Sequence, residues 1–205
     1  MKSGRIGVLG GTFNPIHNLH LKLAEYAYEQ LNLETVMLIP SGISYLKAGT
    51  DVLDAGIRYK MCLLASKELP YIEVSDIEIK RAGNSYTCDT LKELLGSAPD
   101  NEFFLIVGAD TLFMLEKWKN PEYIFANSII AVAARLDGDR YTDDKIREKI
   151  GEYGSRYGAR TEIINIDISD LSSSMIRKKA SEGEDIRPFV PESVAAYIAE
   201  NGLYR

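Results

Sequence analysis

The sequence predicts an α/β domain built on a doubly wound parallel sheet, and three observations carry that expectation. Apolar runs alternate with amphipathic stretches along the whole chain. No internal repeat, low-complexity tract or linker breaks the alternation. The length, 205 residues, fits one domain, and 45% apolar against 26% charged residues supplies a core that needs neither disulfide nor metal staples.

Taken in order, Arg5 to Gly10 reads as a buried strand, followed by the turn Gly10-Gly11-Thr12-Phe13-Asn14-Pro15. Between His17 and Leu31, the residues Leu19, Leu23, Ala27 and Leu31 recur at four-residue spacing, the stripe of an amphipathic helix. Further strands are expected at Glu34–Ile39, Tyr71–Ser75, Glu102–Val107, Ser128–Ala134 and Thr161–Ile166. Helices are expected between them, at Ile57–Glu68, Thr87–Leu95, Thr111–Lys117 and Asp143–Tyr157. Ser41–Ala55 and Leu136–Asp144 lack periodicity and read as loops, the first long enough to be functional. From Leu171 onward two short helices, Ser173–Ser181 and Glu192–Asn201, form a C-terminal helical segment (171–205) of the same single domain. In such a fold, ligands sit beyond the carboxyl ends of the strands.

Composition narrows the function. Thirty acidic residues against 24 Lys plus Arg give a net charge of −6, opposite in sign to a non-specific nucleic-acid binder. No nucleic-acid partner is expected, and a small anionic substrate would require positive charge concentrated locally. The only cysteines, Cys62 and Cys88, exclude a disulfide framework and a cysteine-based zinc site. No leader pattern and no apolar run near the ~18 residues of a membrane helix is present, so a cytoplasmic enzyme without a membrane partner is expected. The sequence leaves a homo-oligomer open.

Two segments concentrate chemistry. In Gly10-Gly11-Thr12-Phe13-Asn14-Pro15-Ile16-His17-Asn18-Leu19-His20, adjacent glycines at a strand end allow close backbone approach to a ligand, and a helix N-terminus follows. His17 and His20 are three apart and the only histidines, so on a first helical turn they converge on one anion. In Ser172-Ser173-Ser174-Met175-Ile176-Arg177, serine hydroxyls, helix N–H groups and Arg177 form a second anion site, although serines there also serve as plain N-caps. Two anion sites at opposite ends of the chain suggest a polyphosphate held between them. Equally telling are the missing patterns: no G-x-x-x-x-G-K-[ST], G-x-G-x-x-G or G-x-S-x-G occurs, and H-x-x-H without a third histidine makes a poor metal site.

These residues give the chain an end-to-end resemblance to the nicotinate/nicotinamide mononucleotide adenylyltransferases of the nucleotidyltransferase superfamily. Residues 10 to 20 match G-G-x-F-[DN]-P-x-H-x-G-H except at Leu19, and Leu171 to Arg177 match I-S-S-[TS]-x-I-R. Ser85-Tyr86-Thr87-Cys88-Asp89-Thr90-Leu91, preceded by Glu78 and Arg81, looks like S-Y-T-x-D-T-L. Gly108-Ala109-Asp110-Thr111-Leu112 with Trp118 is similar to G-x-D-x-L…W, and Pro191 to Tyr204 to P-x-x-V-x-x-Y-I…L-Y. The end motifs alone would admit pantetheine-phosphate or cytidylyl transferases; the two middle motifs point to the pyridine-nucleotide branch.

The resemblance implies a Rossmann-like sheet of the nucleotidyltransferase type. It also implies a reaction, ATP plus nicotinate mononucleotide giving nicotinate adenine dinucleotide and pyrophosphate with Mg²⁺, in NAD biosynthesis. No metal-ligating residue is expected, because Mg²⁺ would be carried by the ATP phosphates. His17, His20 and Arg177 are implied as catalytic. Gly10, Gly11, Thr12, Phe13, Gly108, Asp110, Ser173 and Ser174 would join them around ATP. Thr12, Phe13, Lys47, Tyr86, Thr87, Asp110, Trp118 and Arg135 would hold the mononucleotide, with Arg58 behind Lys47 serving phosphate. From the residues alone, Trp118 also reads as a packing aromatic, Asp110 as an N-cap and Arg135 as a solvated strand end.

One stretch departs from the bacterial pattern. Where most bacterial-type members carry P-x-x-x-P-P-H-K, this chain has Pro40-Ser41-Gly42-Ile43-Ser44-Tyr45-Leu46-Lys47, closer to the eukaryotic-type P-x-x-x-[AS]-Y-x-K. Nicotinate preference is expected, with nicotinamide mononucleotide or dual use as the alternative. A non-catalytic nucleotide-sensing module is a second alternative, opposed by the retention of His17, His20, Ser173, Arg177 and Lys47.

Overall fold

In the computed structural model, which describes residues 4–42, 52–81, 83–135, 142–166 and 171–205, six strands form one sheet. They are β1 (Arg5–Gly11), β2 (Thr35–Pro40), β3 (Ile72–Val74), β4 (Glu102–Gly108), β5 (Ile129–Arg135) and β6 (Arg160–Ile166), in the order β3-β2-β1-β4-β5-β6. The pairs β1–β4, β4–β5 and β5–β6 are parallel, in registers that include Val8 with Leu105, Val107 with Val132 and Ile130 with Thr161. Along β1 and β2, Glu34 N–H donates to Arg5 O and Ser41 N–H to Gly11 O, so these strands also advance together. The strand order reverses beside β1, and the turn leaving its carboxyl end is where such sheets bind ligands. Helices separate the strands: α1 (Asn18–Gln30), α2 (Ala55–Ser66), α3 (Ile77–Lys80), α4 (Thr87–Ser97), α5 (Ala109–Leu112), α6 (Pro121–Asn127) and α7 (Asp143–Tyr157). After β6 come α8 (Ser173–Ser181) and α9 (Glu192–Glu200). The parallel α/β architecture is the one expected.

The chain divides into two compact units, the first drawn from Met1–Leu9, Leu23–Met37 and Tyr86–Ile168. Its centre is the near-continuous apolar runs of β4 and β5, where Phe103 to Val107 and Ile130 to Ala134 are all buried, as strands covered on both faces must be. Each large side chain so buried contributes ~1.5–3 kcal/mol. Gly7 in β1 admits this packing: a Cβ there would stand 2.8 Å from Leu33 Cδ1 and 3.0 Å from Ile106 Cδ1. α7 carries Asp143 and Asp144 in its first turn and ends at Gly158, whose φ of +65° suits a left-handed cap. Its Tyr153 packs on Phe125 of α6 (ring centroids 4.7 Å apart) and donates its hydroxyl to Leu112 O at 2.9 Å.

The second unit comprises Gly10–Lys22, Leu38–Ser85 and Ser169–Arg205. α2 starts at Asp54, whose carboxylate accepts from Gly56 N–H at 2.8 Å, and buries Arg58, Met61, Cys62 and Ala65. α9 packs against α2, with Ser193 Oγ donating to Leu64 O at 3.0 Å.

The elements depart from expectation in three places. The helix expected over Thr111–Lys117 is instead α5 followed by a 3-10 turn at Leu115–Lys117. Leu112 and Leu115, both buried, are three residues apart, the period of the tighter helix. α3 was not expected because it is a single turn. α6 begins with Pro121 after Asn120 in the left-handed region (φ +51°), a start signal carried by the Asn-Pro pair.

Candidate active site

The turn leaving β1 is the centre of the second unit. Phe13 takes a left-handed φ of +48° and buries its ring, and the Asn14–Pro15 peptide is cis. The Asn14 and Pro15 carbonyls both accept from side chains of α8. Arg177 Nη1 donates to Asn14 O at 3.0 Å, and Ser173 Oγ donates to Pro15 O at 2.9 Å. The two glycine- and serine-headed motifs, far apart in sequence, thus meet through the main chain. A Cβ built at Gly10 would meet no atom of the described residues within 4 Å, so the strand end keeps open space beside it.

His17 and His20 stack, with ring centroids 3.6 Å apart and planes 20° from parallel. His17, just before α1, is 3% exposed, and its Nδ1 has no hydrogen-bond partner among the described residues. Burial pushes its pKa down to about 4, so the ring is neutral at pH 7. His20 Nδ1 accepts from His17 N–H at 3.2 Å, and the Phe13 ring meets His20 edge-on at 4.9 Å. An Nδ1 that accepts leaves Nε2 as the N–H donor of a neutral imidazole. An N–H dipole on His20 is of the kind that suits an anion, and Arg177 places a positive charge in the same unit.

Ser172 caps α8, its Oγ accepting from Met175 N–H at 3.2 Å. The plain N-cap reading thus holds for Ser172, while Ser173 bonds to the turn and Ser174 is exposed at the helix start. The N–H groups of such a first turn suit an anion.

Arg58 corrects the sequence reading. It is 1% exposed, with no side-chain surface left for phosphate. Its guanidinium donates to four main-chain carbonyls: Leu53 (2.9 Å), Thr12 (2.6 Å), Ser41 (2.6 Å) and Gly42 (3.0 Å). Burial weakens its hold on the proton, opposed by Asp54 among others. Arg58 therefore buckles the β1 turn to the segments after β2 and before α2. The signal was present: Arg58, Met61, Cys62 and Ala65 share one helix face, with a cation inside an apolar stripe. Gly42 lies alongside, its N–H donating to Ser85 Oγ at 3.0 Å, and a Cβ there would stand 2.3 Å from the Glu78 carbonyl oxygen.

Sequence reasoning also passed over Asn14 as a site residue. It is 3% exposed, and its Oδ1 accepts from Tyr204 O–H at 2.9 Å and Leu53 N–H at 3.3 Å. Its place between Phe13 and Pro15, a buried amide in a tight turn, was the available clue.

Gly10, Gly11, Thr12, Phe13, His17, His20, Ser173, Ser174 and Arg177 therefore all fall in the second unit. Tyr86, Thr87, Gly108, Asp110, Trp118 and Arg135 belong to the first. There, Tyr86 stands at the N-cap of α4, and Lys119 Nζ lies 4.2 Å above its ring and 2.9 Å from Asp89 Oδ2. Trp118, next in the chain to Lys119, is half-buried. Gly108, not Asp110, is the N-cap of α5; Asp110 sits exposed in its first turn. Arg135 is the last residue of β5, and Lys47 lies outside the described residues.

Comparison with known proteins adds three findings. The family model described as cytidylyltransferase-like matches residues 8–179. A probable nicotinate-nucleotide adenylyltransferase of Lachnoclostridium phytofermentans is 43% identical over 200 residues, covering 98% of both chains, and one of Clostridium beijerinckii is 38% identical, covering 98% and 99%. Among solved structures, the nicotinic acid mononucleotide adenylyltransferase of Plasmodium falciparum complexed with NaAD superposes with a TM-score of 0.80 at 19% identity, over 98% of this chain and 97% of that one.

Proposed function

Because this chain belongs to the cytidylyltransferase-like family, we propose that it transfers the adenylyl group of ATP to nicotinate mononucleotide, giving nicotinate adenine dinucleotide and pyrophosphate in NAD biosynthesis. The observation that carries the reading is the β1 turn. One backbone segment presents the stacked His17–His20 pair and anchors Arg177 of the second phosphate motif.

A phosphate oxygen of the mononucleotide attacks the α-phosphorus of ATP, forming a new P–O bond, while the bond to the β-phosphate oxygen breaks and pyrophosphate leaves. The attacking oxygen is already anionic, so no general base is needed; alignment and charge stabilisation supply the catalysis. His20 Nε2–H serves the α-phosphate, with His17 beside it. Arg177, Ser173, Ser174 and the start of α8 serve the β- and γ-phosphates. Gly10, Gly11, Thr12 and Phe13 give the nucleotides close backbone approach. By resemblance, Gly108 and Asp110 serve the ATP side, Asp110 reaching ribose hydroxyls; Tyr86, Thr87, Trp118, Lys47 and Arg135 serve the mononucleotide.

Mg²⁺ fits as a companion of ATP. The donors gathered here are N–H, O–H and guanidinium groups, suited to phosphate oxygens rather than to a cation. Bound with ATP, the ion would supply neutralisation of charge on the departing pyrophosphate. No helix of the described residues is long and apolar enough to cross a membrane.

The test is pyrophosphate release from ATP and Mg²⁺ with nicotinate and nicotinamide mononucleotides in parallel. A preference for the acid above ~10²-fold in kcat/KM, about 3 kcal/mol, is the expected result. Comparable rates would widen the substrate to both, as the Ser44-Tyr45-Leu46-Lys47 stretch would favour. Nucleotide binding without pyrophosphate release would refute the reaction.

A further inference from the structure

Tyr204, one residue from the end of the chain, carries a contact that the reaction above does not use. Its hydroxyl donates to Asn14 Oδ1 at 2.9 Å inside the β1 turn. To reach it the backbone leaves α9 through Gly202 (φ +59°) and places Tyr204 itself at φ +65°, a region that few non-glycine residues occupy. Leu203 N–H closes the helix end on Ile198 O at 3.0 Å. Burial drives the phenol pKa upward although Arg177 and Arg58 pull the other way, so both arginines are electrostatic neighbours and the hydroxyl remains a donor at working pH.

Asn14 accepts hydrogen bonds on both its side chain and its main chain. Oδ1 takes Tyr204 O–H and the longer bond from Leu53 N–H (3.3 Å), while the carbonyl oxygen takes Arg177 Nη1 (3.0 Å). Without the phenol, Oδ1 loses the shorter of these two bonds, and the Asn14 turn is held less firmly. The acceptor that locates Arg177 then moves with it. We propose that Tyr204 is a positioning residue for adenylyl transfer, acting through Asn14 to set where Arg177 meets the triphosphate. This rests on the reaction and the role of Arg177 given above.

The test uses the 205-residue chain with Tyr204→Phe and Arg177→Lys, singly and together, measuring steady-state pyrophosphate release and thermal midpoints. Phe keeps the ring, so Tyr204→Phe folds with a midpoint within about 4 °C of the parent. Its kcat is expected to fall about tenfold, with KM for the mononucleotide changed less than about twofold, because small misplacements act on the transition state. Lys at 177 keeps the charge but loses the planar fork that reads Asn14 O. In that background Tyr204→Phe is expected to cost less than about a further twofold. An unchanged kcat in Tyr204→Phe, or a full tenfold loss that persists beside Arg177→Lys, overturns the proposal. A parent chain that releases no pyrophosphate overturns the reaction and the proposal together; an active parent with an unaffected Tyr204→Phe overturns the proposal alone.

Discussion

Replacing Arg58 with Met removes a buried guanidinium while keeping an unbranched, apolar side chain that nearly fills the same space. Four carbonyls lose their donor, those of Leu53, Thr12, Ser41 and Gly42. Hydrogen bonds to a charged group net about 1.5–3 kcal/mol each, so a plain sum would reach about 6–12 kcal/mol. That sum is too large, because the parent chain already bears the cost of desolvating the cation, the same burial that lowers the Arg58 pKa. Removing one partner of a buried charged network costs about 3–5 kcal/mol, and the middle of that range is expected here. For a domain of this size that is a fall of about 8–16 °C in Tm. Arg58→Lys should recover less than half, since three donors on one nitrogen cannot span carbonyls from three chain segments. Urea unfolding of parent, Arg58→Met and Arg58→Lys, with m unchanged, measures the difference. If Arg58→Met lies within ~1 kcal/mol of the parent, the four bonds do not hold the turn, and the argument fails.

Three further outcomes follow from the site. His20→Ala should lose on the order of 10²–10³ in turnover, the scale of one transition-state donor, and a near-normal kcat would remove His20 from the mechanism. The folded pKa of His17, about 4, lies below the ordinary 6.5, so the fold favours the neutral ring. Its contribution is whole above pH 6.5 and drains away as pH falls toward 4, by about 3 kcal/mol. His17→Gln should lack that loss, which comparison of chemical denaturation at pH 7 and pH 4.5 in both chains would reveal. Gly42→Ala should cost about 3 kcal/mol, or about 9 °C in Tm, because its methyl would press on the Glu78 carbonyl; an unchanged melting point would show that this backbone yields.

The sequence conveyed what local periodicity and side-chain type can encode. α1 and the strands β4 and β5 fall where expected: Ala27 of the helical stripe is buried, and β4 and β5, covered on both faces, read as continuous apolar runs. The residues proposed to meet phosphate were legible for a similar reason: His17, His20 and Arg177 show their chemistry in their side chains, and Gly10 signals open space by lacking one. What stayed hidden depends on where carbonyls point. Arg58 reads like a phosphate ligand until Thr12, Ser41, Gly42 and Leu53 are seen turning their oxygens onto it. Asn14 and Tyr204, 190 positions apart, share a bond that no spacing rule connects.

The donors that hold this protein's turns address the main chain repeatedly: Arg58, Arg177 and Ser173 in one unit, and Arg5 on Leu31 O at 2.9 Å in the other. A carbonyl is the same whichever residue supplies it. Mutational drift is therefore asymmetric across each of these contacts. Positions such as Leu53 and Leu31 are free to change identity without disturbing the bond, while the arginine opposite has no substitute of equal reach. Statistical searches for covarying pairs would pass over these contacts, because only one partner in each records its selection in the genetic text.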